Sequence, residues 1–155
     1  MTIRDRINDF YNRFLSLNGK PEEIARAMAL GVFIGVTPTI PFHTVLVMFI
    51  CLVFRQNITA AMLGATIISN PLTIPFFYLA EYELGVLMLG LGANPFVLAD
   101  YDVRSILEIG WHILYPLMVG GLLLACVFTV PSYFITRYAV VVLRNRNVEP
   151  SEPSP

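Results

Sequence analysis

At 155 residues the chain has room for one domain and little more. It is 56% hydrophobic and only 14% charged, against about 25% charged in ordinary soluble proteins, which points to a solvent other than water. The net charge is −1, with Arg and Lys scattered along the chain, so nucleic acid is excluded as a partner.

In chain order, residues 1–20 read as an amphipathic interfacial helix. Ile3, Ile7, Phe10, Phe14 and Leu17 fall at steps of three and four, with Arg4, Arg6 and Arg13 on other faces. No early apolar core precedes them, so no cleavable signal peptide is expected. Gly19 then supplies a C-cap, and Pro21 opens the next helix with Glu22 and Glu23 in its first turn.

Residues 21–147 read as a single helical membrane domain. From Ile24 to Phe54 the only Asp, Glu, Lys or Arg is Arg26, and neither 58–80 nor 113–136 contains any. A bilayer core takes about 20 apolar residues per helix, and the last two stretches reach that length. The first is interrupted: a short helix to Val36, a break carrying Pro38 and Pro41, then a second short helix from Thr44 to Phe54. Two close prolines each remove a donor and obstruct the preceding turn, which favours a hairpin entering and leaving on one side over one kinked rod. Residues 58–80 repeat the design around Pro71 and Pro75. Leu30-Gly31 and Leu63-Gly64 each precede a proline by six intervening residues, and Thr-Ile-Pro-Phe recurs in both copies. The repeat halves are about 27–54 and 60–83. Glu81-Tyr82-Glu83 is expected to end the second run, followed by a shorter glycine-bearing stretch over 84–98.

A final transmembrane helix is expected over about 113–136, with Trp111, Tyr115, Tyr133 and Tyr138 near interfacial depth. Residues 148–155 are a polar, proline-rich tail expected to be disordered. Five of the ten basic residues lie at or before Arg26 and three follow Thr136. The positive-inside rule then places both termini in the cytoplasm. The fold class is therefore all-α: a polytopic helical membrane protein with two proline-broken, re-entrant-like segments related by an internal repeat. One hairpin and two crossings satisfy the orientation, although the repeat by itself implies that both broken segments behave alike.

Paired broken segments are the sequence pointer to a midplane binding site in transporter-like proteins. The candidate ligand-binding residues are His43 and Thr44 beside the first break, Arg55 and Asn57 between the repeats, and Asn70 and Thr73 in the second break. His43 is an intramembrane ionisable group, and Arg55 carries a fork that matches a phosphate headgroup or snorkels to the interface. Asn57 and Asn70 are also placed to satisfy backbone groups at segment ends, and Glu81 to pair with Arg55 or Arg104. Cys51 and Cys126 read as packing residues. His43 and His112 have no metal spacing, and no hydrolase, zincin or phosphate-loop motif occurs, so neither catalysis, a metal nor a cofactor is expected.

Phe33-Ile34-Gly35-Val36-Thr37-Pro38, Pro41-Phe42-His43-Thr44, Arg55-x-Asn57 and Asn70-Pro71-Leu72-Thr73-x-Pro75, closing with Tyr82-x-Leu84-Gly85, resemble the bacterial membrane family of domain of unknown function 2062. The resemblance covers about residues 20–135 and implies a small bacterial inner-membrane protein, some of whose relatives are fused to glycosyltransferase domains. Proline-broken re-entrant segments are also similar in kind to DedA-type lipid-carrier transporters, without the paired acidic and arginine residues expected in those breaks. The expected function is transporter-like handling of an anionic lipid or polyprenyl-phosphate carrier, with membrane lipid as partner. The alternative is a non-catalytic structural or assembly subunit for a membrane enzyme such as a glycosyltransferase. In that case Gly120 and Gly121 would make the contact with a membrane-protein partner or with a second copy of the chain.

Overall fold

The computed structural model describes residue 14 and residues 16–39, 42–91 and 103–148, with side chains over 110–145 of the last range. Beyond the helical Phe14, the described residues form five helices: α1 (Pro21–Val36), α2 (His43–Val53), α3 (Ile58–Ile68), α4 (Ile74–Leu89) and α5 (Val103–Val148). Most of the expected N-terminal amphipathic helix, Pro41, most of the 84–98 stretch beyond α4 and the tail after Val148 lie outside the described residues.

Local chemistry sets the ends of these helices. Pro21 opens α1, and Glu23 reaches back so that its Oε2 accepts the Lys20 N–H at 3.2 Å. Pro38 drives the preceding Thr37 into extended backbone, with φ −67 and ψ 140, which closes α1. The Thr37 hydroxyl then donates to the Ile34 carbonyl at 2.7 Å, covering one of the carbonyls left free at the helix end. The end of α2 is a two-bond C-terminal cap: Gln56 N–H donates to Cys51 O at 2.8 Å and Arg55 N–H to Leu52 O at 3.4 Å. Arg55 occupies the left-handed position of that cap, with φ 51, where glycine is the usual residue. Asn57 caps α3 by accepting Ala60 N–H at 3.1 Å, and its amide donates to Asn18 O at 3.0 Å.

That last bond returns the chain to the level at which α1 began, so α2 doubles back beside α1. Helices α1 and α3 then run parallel with their backbones in close approach. A Cβ at Gly31 would stand 1.9 Å from Ala61 O, one at Gly35 3.0 Å from Ala65 O, and one at Gly64 2.3 Å from Met28 O. Ala27, Gly31 and Gly35 on α1 face Ala61, Gly64 and Ala65 on α3, the small-residue spacing that lets helix axes meet.

Helix α5 runs antiparallel to α1. Gly121 abuts Pro38 at one end, and Arg137 pairs with Glu22 Oε1 at 3.1 Å towards the other, with Arg144 donating to Leu17 O at 3.2 Å beyond it. Helix α4 is in turn antiparallel to α5, since Gly85 meets Pro116 O and Gly120 meets Glu81 O. It follows that α4 carries on in the direction of α3 past the second break, whereas α2 turns back at the first. The two proline-bearing segments thus take different shapes, a hairpin and a bent rod.

Three expectations change. Pro75 is not a break: it lies in the first turn of α4, where the missing N–H is harmless. Glu81-Tyr82-Glu83 does not end the run, because α4 continues to Leu89 and stops at Gly90 with φ 63. The last helix extends well beyond 113–136, and Pro116 and Pro131 are accommodated inside it. Pro116 is fully buried, its carbonyl packed where Gly85 has no side chain.

Among the described residues, Gly110–Asn145 is the helix long and apolar enough to cross a membrane, and only 22% of its apolar window is buried. A core helix of a soluble bundle would be mostly buried. Phe49, Phe76, Leu87, Leu122 and Phe134 are likewise exposed.

The Glu22–Arg137 pair joins α1 to α5 at the polar end. The backbone N–H of Glu22 first, and Arg137 second, hold its carboxyl below the ordinary value of 4.5. A lowered carboxyl contributes stability that is complete above pH 4.5 and disappears as pH falls through its folded value. Both side chains are about half exposed, so the effect is small. Arg137→Ala should lower the unfolding temperature slightly at pH 7, and the difference from wild type should shrink as pH falls below 4.5, as read by thermal unfolding in detergent.

Candidate functional site

Both breaks lie at the same end of the parallel pair α1 and α3, and they touch. The Ser69 hydroxyl, leaving α3, donates to the Gly35 carbonyl near the end of α1 at 3.3 Å. The second break is folded on itself by its own polar residues. Asn70 Oδ1 accepts Leu72 N–H at 3.3 Å, and Asn70 O accepts Thr73 N–H at 2.8 Å and Ile74 N–H at 3.0 Å. The Thr73 hydroxyl donates to Ile68 O and bonds Asn70 O at 3.0 Å. Asn70 and Thr73 therefore close a turn and satisfy carbonyls that Pro71 would otherwise leave bare in an apolar setting. Thr66 serves its own helix, donating to Met62 O at 2.7 Å.

The first break is closed more sparsely, by Thr39 N–H to Thr37 O and Phe42 N–H to Thr39 O, both at 2.7 Å. His43 starts α2 immediately after it. Its Nε2 lies 3.4 Å from the Thr44 hydroxyl, while its Nδ1 is buried without a hydrogen-bond partner.

Opposite this break stands a residue that was expected at a segment end. Glu81 is 0% exposed, and neither carboxylate oxygen has a hydrogen-bond partner. A Cβ on Gly121 would lie 3.5 Å from the Glu81 carboxyl carbon and 2.7 Å from Pro38 Cδ, so one glycine holds the carboxyl beside the break. The elements packed there bring no permanent cation. After Arg26, α1 has none; between His112 and Arg137, α5 has none; on α4 itself the other ionisable groups are Tyr78, Tyr82 and Glu83. An ionised, unpaired carboxylate in such surroundings is unfavourable by several kcal/mol, on the order of what burial of a lone charge costs after relaxation, so the neutral acid is the form that fits this packing. The expected pairing of Glu81 with Arg55 is not formed, and the side chain of Arg104, the other expected partner, lies outside the described residues.

The sequence-derived site is thus divided. His43, Thr44, Asn70 and Thr73 flank the two breaks, while Arg55 and Asn57 lie at the far end of α2. The eleven-residue helix α2 lies between His43 and Arg55 and spans about 16 Å, too far for one headgroup to touch both. Arg55 is exposed and Asn57 is occupied by its capping bonds. Gly120 and Gly121 are taken up by Glu81 and Pro38 within the chain, not left open for a partner. The residue missed was Glu81. The available signal was a carboxylate four residues before Gly85, matched by Gly120-Gly121 in the following helix.

A family described as an uncharacterized protein conserved in bacteria (DUF2062) has a model that matches residues 4–149. No curated protein and no solved structure matches the chain.

Proposed function

The chain belongs to the bacterial DUF2062 family, and from that premise we propose that it is a multi-pass inner-membrane protein handling an anionic lipid or polyprenyl-phosphate carrier in a proton-linked, transporter-like manner. In this reading α1 and α2 form a re-entrant hairpin, α3 with α4 makes one bent crossing, and α5 makes the return, which leaves both termini cytoplasmic. The orientation draws its support from the basic residues flanking the apolar runs. The internal repeat supplies the two breaks, which have diverged in shape.

One observation carries the reading: the buried, partnerless Glu81 carboxyl beside the first break. Ionisable groups at membrane depth mark substrate paths and proton relays. A carboxyl that packs only as the neutral acid ties proton release to opening of the contact between Pro38, α4 and α5. His43, whose Nδ1 also lacks a partner, is the basic group beside the first break and is assigned to receive that proton. The Gly120-Gly121 pair serves this contact, which argues for a moving part over an assembly subunit.

The test is reconstitution into liposomes carrying fluorescent phosphatidylglycerol or a fluorescent short-chain polyprenyl phosphate, with and without a proton gradient. Wild-type protein should speed exposure of inner-leaflet label to an external quencher, more so with the gradient. Glu81→Gln should abolish the dependence on the gradient. Rates equal to those of protein-free vesicles for both lipids would overturn the proposal.

A further inference from the structure

We propose that the groove between α1 and α5 is a specific seat for an anionic glycerophospholipid, with one acyl chain along the groove and the phosphodiester on Arg26. The proposal rests on the membrane reading above, but it concerns a different part of the molecule from the breaks.

The groove holds about 410 Å³ and is walled by Leu30 and Phe33 of α1 and by Val130, Tyr133 and Phe134 of α5, with Arg26 at one end. Thr129, also in the wall, turns its polar group away: its hydroxyl donates to Ala125 O of its own helix at 2.6 Å. From Arg26 to Phe33 the groove runs about 10 Å along α1, a length suited to the upper part of an acyl chain. Arg26 and Tyr133 each lie one turn inward from Glu22 and Arg137, the ion pair at which the apolar span of α5 meets charge. The cationic end of the groove is therefore at the depth where phospholipid phosphates begin.

Arg26 is exposed, and its Nε donates to Glu22 O at 3.4 Å; it forms no ion pair among the described residues. The Glu22 carboxylate is already engaged by Arg137 through both Nε and Nη2. An arginine left without a carboxylate, at the mouth of an apolar slot, is complementary to a phosphodiester with a hydrocarbon tail. The larger groove of about 460 Å³ between α1, α3 and α5 supplies the contrast: Met28, Ile67, Phe128, Ile135 and Leu143 line it and no charged residue does. It offers a chain nowhere to anchor an anionic headgroup.

Native mass spectrometry of the full chain in mild detergent, titrated with dioleoyl phosphatidylglycerol or dioleoyl phosphatidylcholine, tests the assignment. Wild type should retain the anionic lipid at about tenfold lower concentration than the zwitterionic one. Arg26→Ala should erase that preference, Arg26→Lys should keep part of it, and Leu30→Trp, which fills the slot, should weaken retention of both lipids. Arg55→Ala, at an exposed arginine outside the groove, should leave retention unchanged. Thermal unfolding of each variant establishes that it is folded. The assignment is overturned if Arg26→Ala holds phosphatidylglycerol as wild type does, if Arg55→Ala causes the loss instead, or if excess inorganic phosphate displaces the lipid. A chain that stays monodisperse without detergent would defeat the membrane reading itself, an outcome distinct from all of these.

Discussion

Gly85→Ala and Gly120→Ala should each force α4 away from α5. A Cβ at either position would lie 1.8 Å from a backbone carbonyl oxygen, that of Pro116 for Gly85 and of Glu81 for Gly120. No side-chain rotation relieves a clash with main chain, so the helix axes must separate, and the penalty belongs at or above the upper end of the ~1–3 kcal/mol typical of overpacking. Gly110→Ala is the matched control, because nothing lies within 4 Å of its Cβ. Replacing an exposed helical glycine with alanine there should be neutral or stabilising by up to ~1 kcal/mol. Thermal unfolding in detergent reads all three. If Gly85→Ala unfolds at the same temperature as Gly110→Ala, α4 does not pack on α5 as described.

Glu81→Leu should make the protein more stable and inactive. Leucine keeps approximately the same bulk against Pro38 and Gly121 while removing two buried oxygens that have no partner. Relief of that desolvation is worth about 1–3 kcal/mol. The same substitution removes the group proposed to take up and release the proton, so gradient-dependent lipid movement should vanish although folding improves. Such an exchange of stability for activity is the mark of a residue kept for function. Glu81→Lys should instead be destabilising, since the longer side chain brings a charge into the same closed space. A Glu81→Leu protein that unfolds well below wild type would mean that the carboxyl makes a bond worth keeping, and that a proton is not its business.

Arginine 55 shows how a plausible residue can be misplaced by sequence reasoning. Its position between two apolar runs next to Asn57 suggested a headgroup site shared with His43. The residues between them form an unbroken helix, which holds the two at opposite ends. Arg55 instead occupies a left-handed turn position. Asn57 and Asn70 fared better, because an amide beside a proline or at a helix start has few other uses than to bond nearby backbone. Glu81 was misread for the opposite reason. Acidic residues at the end of an apolar run ordinarily face water, and only the arrival of Gly121 from forty residues downstream encloses this one.

From composition and local pattern alone came the all-helical class, the starts of α1 and α3, the position of both main-chain breaks and the apolar middle of α5. Those properties depend on bonds between residues a few positions apart, such as Thr37 before Pro38 or Asn57 before Ala60, and such bonds are written in the order of residues. The shape of each broken segment was settled by packing. Nothing near Pro38 or Pro71 says that one chain turns back while the other goes on. That choice depends on which distant small residues face each other, Gly31 and Gly35 with Ala61 and Ala65, and Gly85 with Gly120. Backbones can approach closely only where both helices lack side chains at the same level, a condition that exists only once the helices are assembled.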